Sequence, residues 1–373
     1  MMRIGKFIPL FAAAALFAGD FRMTGGIEAG LLYDSNILDD SLRTRDLLIP
    51  ISASLGYSWR ITDGVINRTS FFPSYTPHIQ NRQESAYSHA LSTSFEMHPS
   101  DTATLIVAAG NDITLYRMMG DRAGWTSNDS VGVSWSISAE FEMNDSMIAA
   151  LSVRTLAVLY PAADLDSIEN ILTAKVLCNT SLFSETSVGV FGSITPYTES
   201  RLHGYGTNAA SVITNEGTRR DIAIGANASY HNEESEWFRF DTALSVSSVW
   251  STGDIAAVIL ATSYINSGYY NHIAGEISIS GTLIAFKGSA VSLALAADVE
   301  YYRERFALSS LSTRTGTVIG TATAGLAVEQ TLIRNDTLAV GISATADYFR
   351  RFSNDPYEES EGFTAGISAS LSF

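Results

Sequence analysis

The 373-residue chain is 46 % hydrophobic and carries a formal net charge of −16, which excludes a nucleic-acid binder built on a basic patch. No stretch supplies the roughly 20 consecutive apolar residues of a membrane-spanning helix; the longest candidate, Ile255 to Ile265, is short and interrupted by Thr262 and Ser263. The one cysteine, Cys178, rules out an internal disulfide and reads as a small strand residue, and no Cys/His cluster points to a metal.

The chain opens with Arg3 and Lys6 ahead of an apolar run, Phe7 to Ala18, with small residues near its end. That is the layout of an export signal, expected to be cleaved near Ala18 or Gly19. Residues 1–18 are therefore read as a signal peptide and 19–373 as one domain.

From there the pattern is alternation. Side chains on a strand switch faces with period two, and segment after segment sets apolar residues against Ser, Thr and Gly. The first strand, about Arg22 to Tyr33, sends Ile27, Ala29, Leu31 and Tyr33 one way and Glu28 and Gly30 the other. Its Gly-x-x-Tyr-Asp-Ser-Asn ending, Gly30 to Asn36, resembles the first strand of barrels for exopolysaccharide export and surface-lipoprotein assembly.

Leu47 to Arg60 alternates cleanly into an Asp63-Gly64 turn. Val65 to Tyr75 is muddier and holds Pro73, which has no N–H for a ladder. Ala86 to His98 and Thr102 to Arg117 flank a turn at Pro99-Ser100-Asp101. Ser130 to Met143 is the clearest, with Val131, Val133, Trp135, Ile137, Ala139 and Phe141 against Gly132, Ser134, Ser136, Ser138, Glu140 and Glu142.

After Asn144-Asp145-Ser146 come Met147 to Tyr160 and Asn170 to Phe183, then a turn at Ser184-Glu185-Thr186 and a strand from Ser187 to Glu199. Thr218 to His231, Trp237 to Trp250, a strand within Tyr269 to Phe286, Ser289 to Tyr302, Thr317 to Leu332 and Thr337 to Arg350 follow. The Ile255 to Ile265 segment either folds inward as a constriction or extends its flanking strands above the membrane; extension is the expectation.

The last segment, Gly362 to Phe373, puts Phe363, Ala365, Ile367, Ala369, Leu371 and Phe373 on one face. It resembles the terminal strand of Gram-negative outer-membrane β-barrels, whose final Phe is part of a signal read by the insertion machinery. The resemblance implies that Phe363, Ile367, Leu371 and Phe373 carry that signal and that the insertion machinery is a partner.

Tight turns alternate with longer loops, and aromatic residues gather at strand ends, as in the interfacial girdles of membrane barrels. The expected fold is all-β: a transmembrane antiparallel up-and-down barrel of about sixteen strands, with fourteen or eighteen as alternatives. Short turns are expected on the periplasmic side and longer loops outside. A soluble sandwich is disfavoured because the apolar face is almost free of charge.

Face assignment sends Glu28, Glu96, Asp112, Glu140, Glu142, Asp241, Asp298, Glu300, Glu329 and Asp347 inward, with only Arg68, Arg154, Lys175 and Arg239 as basic counterparts. These fourteen are the pore-lining candidates. Carboxylate-rich walls favour cations; alternatively the acids merely solvate the lumen and pair across strands.

The expected function is a porin-like outer-membrane channel for small hydrophilic solutes, with lipid around it and a cation preference. An export barrel working with separate periplasmic partners is the alternative, and a structural or adhesive surface barrel the third. No enzyme, cofactor or catalytic residue is expected, since no Gly-x-Ser-x-Gly elbow or metal-spaced histidines appear. General porins, similar in size, commonly form trimers, so a homo-oligomer is an open expectation.

Overall fold

The structure, a computed structural model, describes residues 21–36, 45–116, 129–160, 166–181, 183–197, 211–216, 219–235, 237–252, 254–259, 262–266, 270–286, 288–306, 316–335, 337–355 and 358–373. Side chains are not described at 83, 116, 211–216, 234–235, 254–259, 262–266, 286 and 306. The export signal expected at 1–18 lies outside these residues.

Sixteen staves form one sheet closed on itself. In chain order they are β1 (Phe21–Asp34), β2 (Ile51–Thr62, preceded by the short piece Asp46–Leu48), β3 (Val65–Thr76), β4 (Ala86–Ser100), β5 (Ala103–Tyr116), β6 (Ser130–Asn144), β7 (Met147–Leu159) and β8 (Ser167–Ser181). The second half is β9 (Ser184–Pro196), β10 (Arg220–Ser235), β11 (Phe238–Ser251), β12 (His272–Phe286), β13 (Ser289–Phe306), β14 (Gly316–Arg334), β15 (Ala339–Ser353) and β16 (Ser360–Ser372). Each pairs antiparallel with its chain neighbour, and β1 pairs with β16 from Gly26↔Ser372 to Asp34↔Thr364. Closure removes the free edges that would otherwise seek a partner.

The tight turns fall together at one end of the barrel, where their chemistry is local. Asn144 Oδ1 accepts from the Ser146 backbone N–H at 3.0 Å, and Asn335 Oδ1 accepts from Thr337 and Leu338 N–H at 3.0 and 2.8 Å. Such Asx contacts explain why Asn-Asp-Ser and Asn-Asp-Thr recur at these corners. Gly288 takes φ +81°, open to glycine at little cost. Both ends of the sheet meet at the same rim, since Gly25 and Phe373 exchange backbone hydrogen bonds of 2.8 and 2.9 Å. A Cβ on Gly25 would lie 2.6 Å from the Phe373 ring, so a larger residue there would displace the terminal aromatic from its present position.

At the opposite end of that seam the Tyr33-Asp34-Ser35-Asn36 ending has a structural task. Ser35 N–H donates to Phe363 O (2.9 Å), Phe363 N–H donates to Ser35 Oγ (2.7 Å), and the Asn36 amide donates to Glu361 O (2.9 Å). Asp34 Oδ1 accepts the Asn36 N–H at 2.7 Å. The four residues clip the first strand to the last.

Two details differ from the expectations, and one strand, β3, stands as expected. The turn placed at Ser184-Glu185-Thr186 sits just before Ser184, so β9 begins three residues earlier than expected; at its other end β8 also begins three residues early, at Ser167. Pro73 stays inside β3, and the β2–β3 ladder passes over it, running from Ser52↔Ser74 to Leu55↔Phe71. The missing N–H is thus confined to a gap in one ladder. Finally, Asp254–Ile259 and Thr262–Asn266 form a hairpin that pairs with Ser211–Glu216 as a separate three-stranded sheet. The Ile255 to Ile265 segment therefore does not extend β11 and β12; two loops share a sheet of their own.

The packing is inverted relative to a soluble protein. Among the described residues only Leu48, Ala150 and Ile319 form a buried apolar core, while Ile224, Leu244 and Ile367 are 59, 56 and 65 % exposed. Apolar exposure on that scale is untenable in water and ordinary in lipid.

Candidate functional site

Residues directly opposite each other in a ladder share a face, so one face assignment propagates round the closed sheet. Starting from Ile27, opposite Leu371 and Ala53, most of the large apolar residues of the sixteen strands fall outside, while Ile106, Ile148, Leu156, Ile171 and Phe191 are among those that share the other face. Starting from Glu28, opposite Ser370 and Ser52, the other face carries hydroxyls, small residues and charge. All fourteen pore-lining candidates share this inner face.

The ladders sort them into groups. On β3 and β4, near the turn end, Arg68 pairs with Glu96. Glu96 Oε1 lies 3.0 Å from His98 Nε2, and His98 Nδ1 is 3.2 Å from Thr104 Oγ1. On β10 and β11, His231 Nδ1 is 2.5 Å from Asp241 Oδ1 and Arg239 Nε is 3.4 Å from Glu233.

On β5 to β8 the charges are mixed: Asp112 faces Gly132 and Ala90, Glu140 faces Thr104 and Ala150, and Glu142 faces Ile148. Arg154 lies opposite Ser136 and Ile171, and Lys175 opposite Ala150 and Gly189.

The wall from β12 round to β1 is acidic. Asp298 is directly opposite Glu276, a like-charge pairing that costs stability. Glu300 lies opposite Ala274 and accepts the Tyr302 hydroxyl at 2.7 Å. Glu329 is opposite Ser343, Asp347 accepts from Thr364 Oγ1 (3.5 Å), and Glu28 accepts from Ser368 Oγ (2.5 Å). Arg154 and Lys175, on β7 and β8, lie half a turn of the sheet from Asp347 on β15 and Glu28 on β1. Between the charges run paired hydroxyls, as in Ser74–Ser88 (2.6 Å), Ser187–Ser229 (2.7 Å) and Ser343–Ser368 (2.7 Å).

Several charged residues of the inner face went unnoticed in the sequence. Glu169 and Glu185 share it, opposite Leu156 and His231, as do Asp221, Glu276 and Arg351. Carrying the period-two pattern three residues past the expected strand ends finds most of them.

The mouth is held by buried polar contacts. Asp46, with a fully buried side chain, accepts from Leu47, Gln80 and Asn81 N–H at 2.7, 2.9 and 2.9 Å. Burial works to raise its carboxyl, but those N–H groups together with the Asn81 amide hold it down at about 2. This joins the first long connection to the second.

Farther round, Arg219 lies over the Tyr270 ring at 3.6 Å and the Tyr197 ring at 4.5 Å and binds Asp221 at 2.5 Å. Burial disfavours the guanidinium, yet the Asp221 carboxylate beside it keeps it more firmly protonated than usual. Glu358 takes Arg305 and, at 3.0 Å, Arg351.

No family model matches this chain, and no curated protein does. Solved structures do resemble it. OccAB1 of Acinetobacter baumannii aligns over 96 % of this chain and 98 % of its own, with TM-score 0.51 and 10 % identity. OpdQ of Pseudomonas aeruginosa covers 95 % and 99 %, with TM-score 0.48 and 9 % identity. A structure described as a bacterial polysaccharide outer membrane secretin covers 94 % and 97 %, with TM-score 0.41 and 10 % identity. At such identities the likeness is one of fold, and that fold is the closed antiparallel barrel.

Proposed function

We propose that this chain, an outer-membrane β-barrel of porin-like architecture with lipid around its apolar belt, is a channel for passive diffusion of small hydrophilic solutes. It prefers cations. A closed sheet of sixteen strands encloses enough width for an aqueous path. The observation that carries the preference is the excess of carboxylates over basic groups on the inner face, concentrated from β12 round to β1, where Glu276 and Asp298 face each other without a basic partner among the described residues. In a low-dielectric cylinder such a wall draws in cations and repels anions. Arg154 and Lys175 across the lumen add a transverse field that orients dipolar solutes.

The chain acts as a conduit and not as a catalyst. Residues 1–18 direct export and are removed. Phe363, Ile367, Leu371 and Phe373, on the outer face of the terminal strand, serve as the contact for the insertion machinery. The alternative of a dedicated exporter drew on the Tyr-Asp-Ser-Asn ending, which here has a sufficient purpose in clipping the seam.

The test is planar-bilayer recording of the folded protein under a salt gradient. Steady openings with a reversal potential on the cation-selective side support the channel. Anion selectivity would remove the role given to the acidic wall, and silence from a barrel that passes a heat-shift gel would overturn the channel itself.

A further inference from the structure

The outward belt is not chemically uniform. Round most of it the side chains are apolar; the polar exceptions include the hydroxyls of Thr69, Thr186, Thr242 and Ser248 and, toward the strand ends, Asn232, Ser289, Gln330, Arg350 and Glu361, and the Thr242 hydroxyl donates to Ser278 O at 3.1 Å. Asn67, low on β3, is satisfied by Thr93 Oγ1 and Ser94 O. On the contiguous strands β4 to β8 the outward positions instead carry an imidazole and two amides whose hydrogen-bonding capacity is unused.

His89 is wedged between the rings of Phe71 and Tyr87, with centroids 5.9 and 5.8 Å away, and its buried Nδ1 has no partner. Asn111, opposite Leu91 and Val133, makes no hydrogen bond among the described residues. Asn170 accepts from Thr155 Oγ1 at 2.8 Å, leaving its own amide N–H groups free.

The registers draw these positions into one oblique stripe. His89 is opposite Ile113, one outward step from Asn111; Thr155 links Trp135 on one side to Asn170 on the other. Each amide sits between apolar outward neighbours on its own strand: Ala109 and Ile113 for Asn111, Ile168 and Leu172 for Asn170. Unpaired amides are costly against acyl chains, which can neither donate nor accept.

We infer that the outer face of β4 to β8 is a contact surface for a second copy of this chain, packed about a two-fold axis. Asparagine and threonine each carry both a donor and an acceptor, so the stripe from Asn111 to Asn170 is complementary to itself. It holds no charge that would select a partner of opposite sign. Among the described residues the unpaired amides lie on this one arc, the unpartnered Trp59 Nε1 sitting apart from it near the turn end of β2, and a single patch that meets itself is the isologous arrangement, whereas a ring of three or more requires two different patches. Five strands and their margins span about 25 Å, and over a belt about 25 Å tall they offer about 600 Å² per copy. That approaches the ~800 Å² per partner of a standard interface. The inference holds whether or not the lumen conducts.

The experiment uses the full chain in native outer membrane, with Cys178→Ser to remove the native thiol. Asn111→Cys in that background is expected to form disulfide-linked homodimers on mild oxidation, while Ala324→Cys on the far side of the belt stays monomeric. Asn111→Leu with Asn170→Leu is expected to weaken self-association at least tenfold by sedimentation in detergent, with the heat-shift on gels retained. Four results would overturn the inference: no cross-link at 111, a cross-link from 111 to a different protein, mixed 111–324 cross-links indicating a ring, or unchanged association of the double leucine variant in a folded barrel.

Discussion

On β13, Val291, Leu293, Leu295, Ala297 and Val299 point into the belt while Ser292, Ala294, Ala296, Asp298 and Glu300 point the other way, from one backbone and one set of ladder bonds. The outer set has to satisfy a solvent that neither donates nor accepts hydrogen bonds, so it tolerates almost no variety. The inner set meets water, which accommodates hydroxyl, carboxylate or methyl at similar cost. Stability is therefore written mainly on the outer face, which leaves the inner one free for the solute selection proposed above. The two faces can be altered separately because alternate residues never share a solvent.

The largest expected effect breaks the outer face. Leu295→Arg places a charge in mid-belt and should cost about 2–4 kcal/mol of folding stability. Ala294→Arg, one residue away and facing inward, should stay within about 0.5 kcal/mol. Urea titration of the barrel in lipid vesicles measures both, and equal costs would show that the faces are not distinct.

Next comes the inner face. Glu276→Gln with Asp298→Asn removes a facing like-charge pair, so stability should be unchanged or rise by about 0.2–1 kcal/mol. The cation-to-anion permeability ratio from reversal potentials should fall, most visibly at about 0.1 M salt, and the difference should shrink near 1 M as screening shortens to about 3 Å.

A smaller effect is expected at the rim. The Asp46 carboxyl is depressed to about 2 in the folded state, so its contribution is complete above its ordinary unfolded value and disappears only as pH falls through about 2. Amide exchange at Gln80 and Asn81 should stay protected at pH 4, and Asp46→Ala should expose both by leaving buried donors unmet, at about 1–3 kcal/mol locally. The smallest belongs to the Arg68–Glu96 pair: Arg68 is half exposed, so Glu96→Gln should cost less than about 1 kcal/mol.

The barrel was legible because two signals agreed along the whole chain: period-two alternation and turn residues at its interruptions. Parity alone carried Glu28, Arg154, Asp298 and Asp347 to one face of the sheet, the face the ladders also give them. Glu169 escaped because β8 reaches three residues above Asn170, and Glu276 because the bounds of β12 were loose. Pro73 argued against β3 locally, but β4 supplies a continuous ladder on its other edge. The sheet shared by 211–216 and 254–266 joins segments about forty residues apart, a pairing that no local pattern encodes. His89, Asn111 and Asn170 were hidden by their own frame, since an alternating pattern with a few polar outward residues still reads as alternating.

Cysteine substitution at each position from 290 to 300 in a Cys178→Ser background, followed by spin labelling in lipid, resolves which solvent each side chain meets. Labels at odd positions should collide with dissolved oxygen and escape a water-soluble nickel chelate, and labels at even positions should do the reverse. A flat profile, or water contact at 291, 293 and 295, would contradict a cylinder with lipid outside and water within.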